Sequence, residues 1–101
     1  MNGYVALRRM AVRWVADEPQ AGRVEVLLTD ADGRIWRFFD KPPIFGGGAD
    51  LTPVSDYPVA VTIRVRAIDD REPLAISTDP DGVASEEGET TFRVPSELVE
   101  R

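Results

Sequence analysis

Nucleophilic catalysis needs a base beside the nucleophile, and this sequence contains neither histidine nor cysteine. Composition alone therefore excludes a histidine triad, a histidine general base, a cysteine nucleophile, and imidazole or thiolate metal ligands. The serines are Ser55, Ser77, Ser85 and Ser96, and none lies in a G-x-S-x-G elbow. A Ser–Lys dyad would have to use Lys41, the only lysine, which precedes Pro42 and Pro43 and reads as a loop cation. Paired carboxylates can hydrolyse glycosides, and Asp40, Asp56, Asp69 and Asp70 are candidates because they close strand-like segments. With 18 acids some close pair is inevitable, and a chain of 101 residues leaves little room for a sugar cleft. Asp30-x-Asp32-Gly33 and Asp79-x-Asp81-Gly82 resemble the opening of a calcium loop. The twelfth position, where such a loop needs a bidentate Glu, is Lys41 in one and Thr90 in the other. Both read first as turns, because Asp caps its own turn and Gly accepts positive φ. Gly46-Gly47-Gly48 lacks the lysine and following helix of a phosphate loop. No catalytic, cofactor or metal site is expected.

Binding surfaces are what remain. Net charge is −6, but the segment 69–90 carries −7 by itself, from Asp69, Asp70, Glu72, Asp79, Asp81, Glu86, Glu87 and Glu89 against Arg71. The rest of the chain is net +1, so one acidic region sits on a near-neutral body. That balance disfavours nucleic acid and anionic lipid. It permits steering of a basic partner, as in an immunity-type or accessory protein, although acidic turns also serve solubility alone. A basic aromatic face of the kind that holds single strands is the competing class. It would draw on Arg8, Arg9, Arg13, Arg34, Arg37, Arg64 and Arg66 with Trp14, Trp36, Phe38 and Phe39.

These residues must be positioned by strands. Residues 4–15, YVALRRMAVRWV, alternate with period two, although Leu7, Met10, Ala11 and Trp14 also fit a helix; the sheet partners downstream favour a strand. Residues 17–22 read as a turn through Pro19 and Gly22. Residues 23–29 and 34–40 form a hairpin across Asp30-Ala31-Asp32-Gly33. Setting Asp30 opposite Arg34 pairs Leu28 with Trp36 and Val26 with Phe38, an apolar face. The same register sends Leu27, Ile35 and Phe39 to the outer face beside Arg37 and Glu25. Residues 41–57 hold three prolines and the glycine triplet, so no ladder is expected there. Ile44, Phe45, Leu51 and Val54 are expected to pin this loop, with weak amide protection at 46–48. Residues 58–68, 74–78 and 91–94 complete six strands, and a helical turn at most follows Pro95. The expected core is Val24, Val26, Leu28, Trp36, Phe38, Val61, Ile63, Val65 and Phe92.

The segments TDADGRIWRFFDKPP at 29–43, YPVAVTIRVRAI at 57–68 and GVASEEGETTFRV at 82–94 resemble those of small all-β proteins of GC-rich bacteria. Frequent Arg, Ala, Val, Asp and Gly suit such a genome. The resemblance implies one complete natural domain and no catalytic motif.

The reading is therefore all-β: a single domain over 1–101, a small barrel or sandwich of about six antiparallel strands, OB-like or SH3-like. Its expected role is a non-enzymatic interaction module for a protein partner, a second copy of itself, or both. The expected contact surface is Leu27, Ile35, Arg37 and Phe39 with Ile44 and Phe45 of the loop. Closing of the outer patch by the 41–57 loop or by Leu98 and Val99 is the alternative to a dimer. Residues 1–15 lack the continuous apolar run of a signal peptide, and no stretch reaches the roughly 18–20 apolar residues of a membrane span, so a cytoplasmic location is expected.

Overall fold

In a computed structural model, which describes residues 4–16 and 22–100, every long element is a strand. These are β1 (Tyr4–Val15), β2 (Arg23–Thr29), β3 (Ile35–Asp40), β4 (Val59–Asp69), β5 (Leu74–Ser77), β6 (Thr91–Val94) and the two-residue β7 (Val99–Glu100). They form one antiparallel sheet in the order β3-β2-β1-β4-β5-β6, with β7 added to β1. The sheet curls on itself into a half-barrel rather than splitting into a sandwich. Its two ends meet where Phe92 of β6 packs edge-on against Trp36 and Phe38 of β3, at 5.2 and 5.6 Å between ring centroids. Among the described residues, isolated backbone bonds bridge that seam: Ala31 N–H to the Arg93 carbonyl at 2.8 Å, and Glu86 N–H to the Arg37 carbonyl at 2.7 Å. Residues 17–21, which hold most of the expected first turn, lie outside the described residues. Gly22 is not left-handed; its lack of a side chain makes room for the Trp14 ring, which any Cβ there would overlap.

The hairpin register is the expected one: Val26↔Phe38, Leu27↔Arg37, Leu28↔Trp36, Thr29↔Ile35. All nine expected core residues are buried, joined by Leu7, Ala11, Phe45, Leu74, Ile76, Val83 and Val94. β1 departs from strict alternation. A bulge between Ala11 and Arg13 shifts the register against β2, so the inward set runs Leu7, Ala11, then Trp14. That bulge explains why the segment also fitted a helical spacing. Arg9 occupies the inward register between Leu7 and Ala11, opposite Val61. It lies where the β2 pairing ends and the β7 pairing has not begun. Its Nη1 donates to the Leu27 carbonyl at 2.9 Å, and burial lowers its pKa from the usual guanidinium value.

The 41–57 segment is more ordered than its composition suggests. Pro42–Ile44 make a turn of 3-10 helix, and Phe45 turns fully into the core. Gly46 exchanges both backbone bonds with Thr62, at 2.8 and 3.0 Å, on the part of the β4 edge that β5 leaves uncovered. A bridge thus forms where none was expected, because a glycine without a side chain lies flat against the edge. Ile44 and Leu51 pack on the core as expected, whereas Val54 is 87% exposed and pins nothing. Phe45 and its neighbours are structural, so weak amide protection at Gly46 is no longer the expectation.

Asp30 organises the hairpin turn. Its Oδ1 accepts the N–H groups of Asp32 and Arg34 at 2.9 and 3.0 Å, and its Oδ2 accepts the Trp36 indole N–H at 2.8 Å. Gly33 takes φ +84°, which completes the turn. Burial alone would raise the Asp30 carboxyl, but these three bonds and the Arg34 charge outweigh it and hold the pKa below the ordinary carboxylate value. Asp69 and Asp79 are lowered as well, by hydrogen bonds from Arg71 and Arg66. A carboxylate with a depressed folded pKa adds stability that is complete above its unfolded value, near 4, and is lost as pH falls through the folded one. The melting temperature should therefore hold on acidification to about pH 4 and fall below it. Asp30→Asn should flatten that fall in a melting series from pH 7 to pH 2; an unchanged slope would remove Asp30 from the account.

Candidate functional site

The outer face of β1, β2 and β3 gathers the groups with chemical character. Across it the pairing aligns Arg13, Glu25 and Phe39 in one row and Met10, Leu27 and Arg37 in the next. Glu25 is only 3% exposed although it points away from the core. It is covered by two guanidiniums: Arg13 donates through Nε to Oε1, and Arg37 donates through Nη1 to Oε2 at 3.3 Å. Burying a carboxylate is costly unless it is paired and hydrogen-bonded, and both of its oxygens are met here. The Arg23 guanidinium lies over the Phe39 ring at 5.9 Å from its centroid. Ile35 is the open apolar member, 59% exposed, while Leu27 and Phe39 are half-buried.

The expected contact surface is thus partly assembled. Leu27, Ile35, Arg37 and Phe39 share the outer face. Ile44 and Phe45 do not join them, since one is half-buried against the core and the other is inside it. Neither segment expected to close the patch does so. The 41–57 loop is held at the β4 edge through Gly46, and Leu98 and Val99 pack on the core beside β1, where Val99 pairs with Leu7. Residues 84–86 reach the edge of β3 instead, through Glu86. Arg37 and Glu25, beside the patch, pair with each other within the chain.

The acidic segment is held down by arginines. Asp69 pairs with Arg71 at 2.9 Å, Asp79 with Arg66 at 2.8 Å, Asp81 with Arg64 at 2.5 Å and Glu87 with Arg34 at 2.8 Å. Arg34 also lies over the Trp36 ring at 3.8 Å, so it ties the 85–89 turn to the hairpin. Glu72 accepts the Ser96 N–H at 3.2 Å. Asp70, Glu86 and Glu89 are exposed. Four of the eight acids are therefore neutralised internally, and the acidic surface is thinner than the residue count implies. Alternation pointed to the outer-face residues, but no local signal marked Glu25 as buried. Its burial follows from long-range pairing of Arg13 and Arg37 on either side.

Two of the surface hollows among the described residues bear on binding. One, about 530 Å³, is apolar and runs over Met10, Ala60, Gly46, Gly47 and Leu98, with Arg8 at its rim. The other, about 540 Å³, lies between the outer face and residues 84–86. Among the described residues no three acidic side chains stand together as a metal cage. No helix there is long and apolar enough to cross a membrane.

The fold and this face define an all-β half-barrel with an arginine-rich, partly apolar outer surface. Comparison with protein-family models, with curated proteins and with solved structures gave no match.

Proposed function

We propose that this chain is a non-enzymatic interaction module that binds a protein partner through the outer face of β2 and β3. The observation that carries the reading is Ile35, open to solvent beside the half-buried Leu27 and Phe39, on a face that neither the 41–57 loop nor Leu98 and Val99 cover. Single exposed apolar residues are ordinary; a cluster on one sheet face rimmed by arginines is the anatomy of an interface. A second copy of the chain is the first partner to test. Light scattering at micromolar concentration is expected to give a mass above the 11.2 kDa monomer that reverts in Leu27→Glu and Ile35→Glu. A monomer at every concentration retires self-association and leaves a different protein as the partner. A photo-crosslinker at position 35 should then trap a protein in the native cell that one at position 71 does not; equal trapping would overturn the reading.

Binding of single-stranded nucleic acid is the second reading, favoured by Arg13, Arg23, Arg37 and Phe39 sharing one face. Trp36 and Phe38 are core residues, and the one group stacked on Trp36 is the Arg34 guanidinium, so neither ring offers a face to a base. Fluorescence titration with a thymidine oligonucleotide at low and at moderate salt separates the two, because phosphate binding weakens steeply with salt.

A further inference from the structure

We propose that the apolar hollow over Met10, Ala60 and Leu98 binds a small monoanionic organic acid, its apolar body laid in the hollow and its carboxylate on Arg9. The hollow, about 530 Å³, falls within the roughly 300–1,000 Å³ of small-molecule sites. Met10 of β1 and Ala60 of β4 are direct sheet partners at its centre. Gly46, on the far edge of β4, and Leu98, just before β7 on the far edge of β1, flank them. Met10 is 41% exposed, so its flexible thioether chain is open to a ligand.

Arg9 lines the same hollow and gives it a charge preference. Arg8, Arg13, Arg37 and Arg64 each pair with a carboxylate. Arg9 meets two neutral acceptors instead: its Nε donates to the Arg8 carbonyl and its Nη1 to the Leu27 carbonyl. Among the described residues no carboxylate pairs with it, and its Nη2 carries no bond. It is nonetheless half-buried, at the gap in the sheet where the β2 pairing ends and the β7 pairing has not begun. Carbonyls satisfy hydrogen bonds without cancelling charge, and a charge taken out of water is costly until it is paired. Burial lowers the Arg9 pKa accordingly. Glu100, the acid in the lining, is matched by Arg8 at 3.9 Å. One positive charge is thus left over on an apolar surface. A monoanion cancels it, whereas a phosphate dianion exceeds it and an uncharged molecule leaves it unpaired. Leu27, Ile35 and Phe39 are not in the lining, so the site stands or falls apart from the β2–β3 interface.

Octanoate and 1-octanol test this, because they share an apolar body and differ in charge. The chain has two methionines, Met1 and Met10, so a methionine-methyl label reports the hollow by nuclear magnetic resonance. Both probes are titrated at pH 7, below micelle formation, with ionic strength held constant by sodium chloride. Saturable shifts at the Met10 methyl and at the amides of Gly46, Gly47 and Leu98 are expected, with octanoate bound about tenfold more tightly, the gain of one charge-assisted hydrogen bond. Arg9→Gln should bring octanoate down to the affinity of octanol and leave octanol unchanged; Arg9→Lys, which keeps the charge, should retain the preference. Ala60 is exposed, so Ala60→Phe fills the hollow without touching Arg9 and should weaken both probes about tenfold. Ile35→Glu, which tests the protein interface, should alter neither. Equal affinity of the native chain for the two probes, a preference that survives Arg9→Gln, or octanoate binding unaffected by Ala60→Phe would overturn the proposal.

Discussion

Replacing Phe92 by Ala should lower the unfolding free energy by about 3–5 kcal/mol. The side chain is 3% exposed and meets both Trp36 and Phe38 edge-on. Those contacts join the two ends of the sheet, which no hydrogen-bonded ladder closes. Truncation therefore removes apolar burial, leaves a cavity and loosens the seam together. Urea denaturation gives the free energy, and the amide of Ala31, which donates to the Arg93 carbonyl, should lose hydrogen-exchange protection with it. Trp36 fluorescence should shift to the red as water reaches the ring. Ile35→Ala, on the open face, is the control and should stay within about 0.5 kcal/mol. A Phe92→Ala loss below about 1 kcal/mol would mean that the ends of the sheet are held by something other than this aromatic cluster.

Gly48→Ala should cost about 2–3 kcal/mol, the range of overpacking against groups that cannot move aside. Gly48 is buried, and a Cβ there would overlap the Pro42 carbonyl oxygen and stand 3.1 Å from the Phe45 carbonyl oxygen. Both are backbone atoms of one tight turn, whose Gly48 N–H donates to Phe45 at 2.9 Å. Relief requires the turn to open, which withdraws Phe45 from the core and Gly46 from its bridge to Thr62. The amides of Gly46 and Thr62 should be protected in the native chain and lose protection in the variant. Protection absent from the native chain would mean that the bridge does not persist in solution. Gly33→Ala should cost less, about 1–2 kcal/mol, because its positive φ is strained for an alanine but nothing lies near the added methyl.

Local pattern was enough for six strands and for the hairpin, but not for β7, where only a helical turn was expected and which exists through its pairing with β1. The two-residue period of RVEVLLT and RIWRFFD, joined by a DADG turn of defined length, leaves one register in which every apolar pair falls on the same side. Asp30 and Gly33 set that turn from within four residues, so it was legible without any distant partner. β1 was only half legible. A bulge is one residue of misalignment with β2, and the strand itself carries no mark of where its partner slips.

The sequence by itself determined an all-β domain, the hairpin register, the inward set of Val24, Val26, Leu28, Trp36 and Phe38, and the outward set of Leu27, Ile35 and Phe39. Those follow from side-chain alternation, which acts between neighbours along the chain. Tertiary structure alone decided the rest. It closed the sheet by Phe92, drew Phe45 and Gly46 onto the core and the β4 edge, and paired Asp79 and Asp81 with Arg66 and Arg64. It also set Glu25 beneath Arg13 and Arg37. Each of these contacts joins residues from separate elements. A carboxylate on a polar face is solvated until two guanidiniums from neighbouring strands are folded over it, so its burial is a property of the sheet and not of the residue.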